Sequence, residues 1–303
     1  MDWEKGRESG NVVEDEGGGG GGFGGGGGGG MQFGGFHIGL GGLVVIVVVS
    51  LLFGKNPLEI LSLLSGGGDG TTVQQEAPAR SDQPSTENDE PHRFVRSILG
   101  STEDVWTEYF QASNRRYVDP KLVLFNGRVS TACGNASEAM GPFYCPGDQL
   151  VYLDLSFFHE MDTKFHATGD FARAYVIAHE VGHHVQNLLG VMQQVNSQRQ
   201  RGAAMEGANG LSVRLELQAD CFAGVWGNRS QAQLNWINEQ DVAAALNAAS
   251  SVGDDTLQKQ ARGYVVPDSF THGSAAQRQQ WFKAGFGSGD IKSCDTFSAQ
   301  STR

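Results

Sequence analysis

The spacing of apolar and polar positions divides the chain into an irregular N-terminal part and a C-terminal part built from short periodic elements. Residues 1–35 show no apolar period. A polar start gives way to glycine from Gly17 to Gly30, broken only by Phe23. Such a tract buries too little apolar surface to offset its chain entropy, so residues 1–35 are expected to be a disordered, Gly-rich cytoplasmic tail. Residues 36–53 are apolar and carry no formal charge apart from the titratable His37. A run of that length predicts one transmembrane helix. Leu58 to Leu64 reads as a short apolar helix at the membrane surface, and Gly66 to Pro91 as a linker rich in Gly, Pro, Gln and Ser. That leaves 54–91 as juxtamembrane segment and linker, and 92–303 as the folded domain.

Within the domain the periods change repeatedly. Ser101 is a good N-cap for a helix with Val105, Trp106, Tyr109 and Phe110 on its inner face. Lys121 to Val129 alternates around Asn126-Gly127 and reads as a hairpin. Gln149 to Phe158 reads as a strand, either an edge able to hold an extended peptide or a plain core strand. Phe171 to Leu189 has a helical apolar face, with Asp170 as N-cap and Gly190 as stop. Met192 to Gly210 is polar, either a flap or a solvated helix. A helix over Leu211 to Gly224 follows. Three further helices are capped by Asn238, by Asp254 or Asp255, and by Ser274, the last with Ala275, Trp281, Phe282 and Phe286 on its apolar side. The expected class is α+β, mainly α, with a small sheet.

A formal net charge of -12 argues against nucleic acid as a partner. The four cysteines are Cys133, Cys145, Cys221 and Cys294. Cys133 and Cys145 bracket a Gly/Pro-rich turn region and are expected to pair. Cys221 and Cys294 remain as candidates for a second bridge, and four free thiols are the alternative. No C-x-x-C pair exists, which opposes a four-cysteine zinc site. Ser50 to Lys55 lacks a small-x-small cleavage site, so an uncleaved anchor is expected rather than a signal peptide. Lys5 and Arg7 before the run and Lys55 after it leave orientation open. Paired cysteines place the domain in an oxidising compartment, so a single-pass inner-membrane protein with a periplasmic domain is the expectation.

The densest chemistry lies in the helix from Phe171. His179-Glu180-Val181-Gly182-His183 puts two imidazoles at i and i+4, on one helical face, where both can reach one metal ion. Glu180, one residue after the first imidazole, can take a proton from water at that ion. On the later helix Glu216 and Asp220 are again i and i+4 among apolar residues. Two such carboxylates repel unless a cation or separate partners intervene. Glu216 can be the missing third ligand, and Asp220 can accept the free ring N–H of a ligand histidine. A solvated acidic face is the bland alternative, and the pattern alone leaves open which carboxylate binds metal. His272, in a loop before the Ser274 cap, can polarise a substrate carbonyl or simply bond the backbone.

With these motifs, Gly141-Pro142-Phe143-Tyr144-Cys145-Pro146, Val151-Tyr152-Leu153-Asp154 and His272-Gly273-Ser274, the chain resembles the bacterial neutral zinc metallopeptidase family. The resemblance implies a zincin-like fold of gluzincin type with one zinc ion on His179, His183 and Glu216. It implies Glu180 as general base, Asp220 as the partner of a ligand histidine, and His272 near the metal, with Arg278 following it. A protein or peptide substrate is expected. The alternatives are a zinc-stabilised scaffold or chaperone-like partner, and a hydrolase of non-peptide amides or cell-wall peptides.

Overall fold

In the computed structural model, which describes residues 1–15 and 84–298, the first helix begins earlier than its sequence suggested. It is α1 (Glu90–Ala112), capped by Asp89, whose carboxylate accepts the His92 N–H at 3.1 Å. Ser101 is therefore not a cap. It is buried mid-helix, donating to the Ile98 carbonyl at 2.7 Å and accepting from the Trp226 indole at 3.0 Å.

The described residues hold six short strands, one before α1 and five after it: β1 (Val12–Glu14), β2 (Lys121–Phe125), β3 (Arg128–Thr131), β4 (Gly134–Ser137), β5 (Phe143–Cys145) and β6 (Leu150–Asp154). The main sheet has the order β1-β2-β6-β5. The first three of these are mutually parallel and β5 is antiparallel to β6. Leu122, Leu124, Val151 and Leu153 face the helical core, while Val123, Phe125 and Tyr152 join a smaller cluster on the other face. Apolar residues on both faces suit parallel strands covered on both sides.

Two strand expectations are corrected. Asn126-Gly127 makes a turn, but not a hairpin. β2 already has β1 and β6 as neighbours, so β3 leaves to pair with β4 in a separate ribbon. Gly127, at φ +74°, donates its N–H to Asp154 at 2.8 Å, which fixes the exit. The strand expected over Gln149 to Phe158 ends at Asp154, and α2 (Ser156–Thr163) begins there. It is central, not an edge; the outer strand beside it is β5.

The disordered tail is corrected for residues 1–15, which form part of the domain. Trp3 is buried edge-to-face on Phe94, with centroids 5.7 Å apart. Arg7 and Asn11 each reach the buried carboxylate of Glu103 at 2.7 Å, and Ser9 donates to it as well. A buried carboxylate needs such partners, and the arm supplies them. Because β1 is bonded to β2, the arm and the domain lie on one side of any membrane, and a cytoplasmic tail before a single crossing does not fit that docking. The expected span and linker lie outside the described residues up to position 83. Among the described residues no helix is long and apolar enough to cross a membrane.

The remaining helices are α3 (Asp170–Leu189), α4 (Val191–Gln200), α5 (Leu211–Leu234), α6 (Glu239–Ser251), α7 (Asp254–Arg262) and α8 (Ala275–Ser288). Gly169, not Asp170, occupies the N-cap of α3, and Gly190 ends it at φ +81°. The first half of the polar stretch after it is the helix α4, and residues 201–210 are turns and loop. Asn238 and Ser274 cap their helices as expected, each within a capping box, whereas Gly253, not Asp254 or Asp255, caps α7. α3, α5 and α8 pack closely. A Cβ on Gly182 of α3 would lie 3.1 Å from the Ala219 carbonyl of α5, and one on Gly285 of α8 would lie 1.9 Å from the Cys221 carbonyl. Both disulfides form, Cys133–Cys145 and Cys221–Cys294.

Candidate metal centre

The close approach of α3 and α5 at Gly182 brings their polar positions face to face. His179 and His183 stand one turn apart on α3, ring centroids 4.8 Å apart and nearly perpendicular. Opposite them on α5 lies Glu216. Its Oε2 is 3.2 Å from His179 Nε2, and its Oε1 is 3.5 Å from His183 Nε2. Tetrahedral zinc with nitrogen and oxygen ligands at about 2.0–2.1 Å needs donors roughly 3.3 Å apart. These separations straddle that value, and the three donor atoms all lie within 4.8 Å of one another. Two neutral-capable imidazoles and a carboxylate are a donor set zinc accepts, so the residues fit the ion.

Each imidazole is tied at its other nitrogen. His179 Nδ1 is 2.9 Å from Asp220 Oδ1, and His183 Nδ1 is 2.9 Å from Gln186 Oε1. Asp220 is fully buried. Arg278 on α8 neutralises it with two bonds, Nε to Oδ2 at 2.8 Å and Nη2 to Oδ1 at 2.9 Å, and the Tyr175 hydroxyl donates to Oδ1. The crossing of α5 and α8 at Gly224 and Gly285 holds Arg278 in reach.

The charged groups of the site act on one another. Burial alone would lower the His179 pKa, but the Asp220 and Glu216 carboxylates hold it up, to about 10. His183 is raised against the same burial by the charge of Glu216. Burial would raise Glu216 and Asp220; the imidazoles and Arg278 instead hold both below the usual carboxylate range. Glu180 is the exception. Burial wins over the charges of the two imidazoles and leaves its pKa raised above the usual carboxylate range.

His272 sits before α8, its Nδ1 2.9 Å from the Thr271 hydroxyl and 3.4 Å from Asp254 Oδ1. The other Asp254 oxygen accepts the N–H groups of Thr271, His272 and Gly273. These bonds tie the loop to Asp254; burial alone would lower the His272 pKa, but the Asp254 hydrogen bond, and after it the negative charge of Glu216, raise it. The structure thus gathers His179, Glu180, His183, Glu216 and Asp220 at one helix pair, with His272 on a loop near enough for Glu216 to act on it. Tyr175 and Gln186 carried no assigned role in the sequence. Gln186 had one local signal, standing three residues beyond His183 on the same helix. Tyr175 had one too, four residues before His179.

Two imidazoles and an acidic residue from facing helices, with a buried glutamate beside the first imidazole, form a donor set that could hold one metal ion. The chain belongs to the family described as "Putative neutral zinc metallopeptidase", whose model matches residues 1–297, the docked arm included. It is 47% identical over 299 residues to the protein YpfJ of Escherichia coli K12, covering 98% of this chain and 99% of that one. It is 45% identical over 218 residues to the protein Rv2575 of Mycobacterium tuberculosis H37Rv, covering 69% and 72%. No solved structure matches the chain.

Proposed function

We propose that the protein is a zinc-dependent endopeptidase of gluzincin type, acting on protein or peptide substrates outside the cytoplasm. The observation that carries the reading is the convergence of His179, His183 and Glu216 within bonding range of one ion, with Glu180 buried beside them. Zinc, when bound, supplies a Lewis acid that makes water a nucleophile near neutral pH. Glu180 takes the proton released as a peptide carbonyl is attacked and hands it to the departing amine. Asp220, clamped by Arg278, keeps His179 turned with Nε2 toward Glu216. His272, braced from behind by Asp254, presents its ring to the negative charge that develops on the carbonyl. An extended substrate would add to the outer edge of β5, whose Tyr144 hydroxyl already meets His184 and Asn187 of α3.

The two disulfides support an oxidising compartment. Membrane attachment through residues 36–53 stays part of the proposal, with residues 1–15 and the domain on the same side because residues 1–15 dock on it. The test is Glu180→Gln. It should retain one zinc by metal analysis while peptide hydrolysis falls by roughly 10²–10⁴-fold. Cleavage of a peptide pool at the wild-type rate would overturn the mechanism, and full biological activity without cleavage would favour the scaffold reading.

A further inference from the structure

We infer that His183 is held in its metal-binding tautomer by a relay of two buried amide side chains, Gln186 and Gln218, anchored on the carbonyls of Leu215 and Cys294. The inference rests on the metal reading above. An imidazole offers a lone pair at Nε2 only when its proton sits on Nδ1, so whatever faces Nδ1 decides whether the ring can bind. At His183 that group is the Gln186 amide, 2.9 Å away.

An amide can be placed either way round, and only its surroundings decide which end is which. Gln186 is fully buried, and the other end of its amide lies 2.7 Å from the Leu215 carbonyl and 3.1 Å from Gln218 Oε1. A carbonyl can only accept, so the end facing Leu215 is the NH₂. The oxygen of Gln186 then faces His183 and accepts, which requires the proton on Nδ1. Gln218 is fixed by the same logic. Its NH₂ donates to the Cys294 carbonyl at 3.0 Å, leaving its oxygen for Gln186. Polarity therefore runs in one direction, from two main-chain carbonyls through two amides to the ring. Cys294 is itself fastened to α5 by the bridge to Cys221, next to Asp220.

His179 is oriented by a carboxylate and His183 by a neutral group. Glu180, Glu216 and Asp220 already place three carboxyl groups on this helix pair. A fourth beside His183 would add repulsion in a desolvated space, whereas an amide orients the ring without charge. Gln186 and Gln218 are positioning residues in this scheme, since neither has a donor atom in the group that holds the ion.

The experiment uses the full chain with ¹⁵N-labelled histidine, stripped of metal, at alkaline pH where the ring is neutral. His183 should show the Nδ1–H tautomer in the wild type and a mixture in Gln186→Met. Competition with a chelator should show zinc affinity lower by about 10–100-fold in Gln186→Met, with a smaller loss in Gln218→Met, while thermal unfolding stays cooperative. A wild-type His183 protonated on Nε2 would overturn the relay, as would Gln186→Met retaining zinc affinity within about threefold. Should Gln186→Met not fold, the wild-type tautomer still decides. A wild type that takes up no zinc sinks the metal reading instead, and the tautomer measurement continues to judge the relay.

Discussion

Among the described residues, two groups of acidic and imidazole side chains bring three possible ligand atoms close together. His179, His183 and Glu216 form one, Glu87, Asp89 and His92 the other, and in each the donor atoms lie within 4.8 Å of one another. They differ in what surrounds them. At the first, the outward nitrogen of each imidazole has a buried partner: Asp220 with Arg278 behind His179, and Gln186 behind His183. At the second, Asp89 is 56% exposed and is engaged as the N-cap of α1, bonding both the N–H and the ring of His92. Glu87 is exposed as well. Nearness of donors is common at a helix start. A shell of buried polar groups that orients those donors is not, because each member costs desolvation unless it is satisfied.

The comparison can be tested by removing one member at a time. His183→Ala should abolish stoichiometric zinc uptake, a loss in affinity larger than the roughly 10–100-fold expected for an orienting partner, whereas His92→Ala should leave metal content unchanged. Metal analysis of the purified variants reads both, and zinc lost from His92→Ala instead would reverse the ranking of the two groups. Next in size is Arg278→Ala, which leaves Asp220 charged and buried without its cation. Denaturant unfolding should show about 3–5 kcal/mol lost. A loss under about 1 kcal/mol would mean Asp220 is not charged in the fold, since an exposed pair is worth no more than that.

The pH dependence comes third. A folded-state pKa raised from 6.5 to about 10 means protonated His179 stabilises the metal-free protein fully below about pH 6.5, and that contribution fades as pH climbs toward 10. Zinc needs the same nitrogen unprotonated, so its affinity should rise across that window. Melting curves of the stripped protein and chelator competition, both run against pH, should slope in opposite directions; parallel slopes would place the proton elsewhere. The smallest effect belongs to Asp89→Ala. Loss of the cap should cost about 1 kcal/mol with no change in bound metal.

What the sequence disclosed follows from the range of each signal. His179 with His183, and Glu216 with Asp220, are pairs one helical turn apart, so a periodic reading finds them without knowing the fold. The Cys133–Cys145 bridge is equally local. β1 is three residues long and stands just before a glycine tract, and its partner β2 lies more than a hundred positions away, so nothing nearby announces it. The false hairpin at Asn126-Gly127 has the same cause, since local alternation proposes a strand but not which neighbour it takes. Arg278 entered only through family resemblance, and Gln218 not at all, because their roles exist only where α3, α5 and α8 meet.

The pairing of Val13 with Val123 also sets an order of events during synthesis. At roughly 5–20 residues per second, the arm emerges several seconds before the strand it must join, and it has to wait unpaired. The ribosome therefore delivers first a segment that the domain can receive only after β2 has been made. Docking of residues 1–15 is therefore a step that waits on the synthesis of β2.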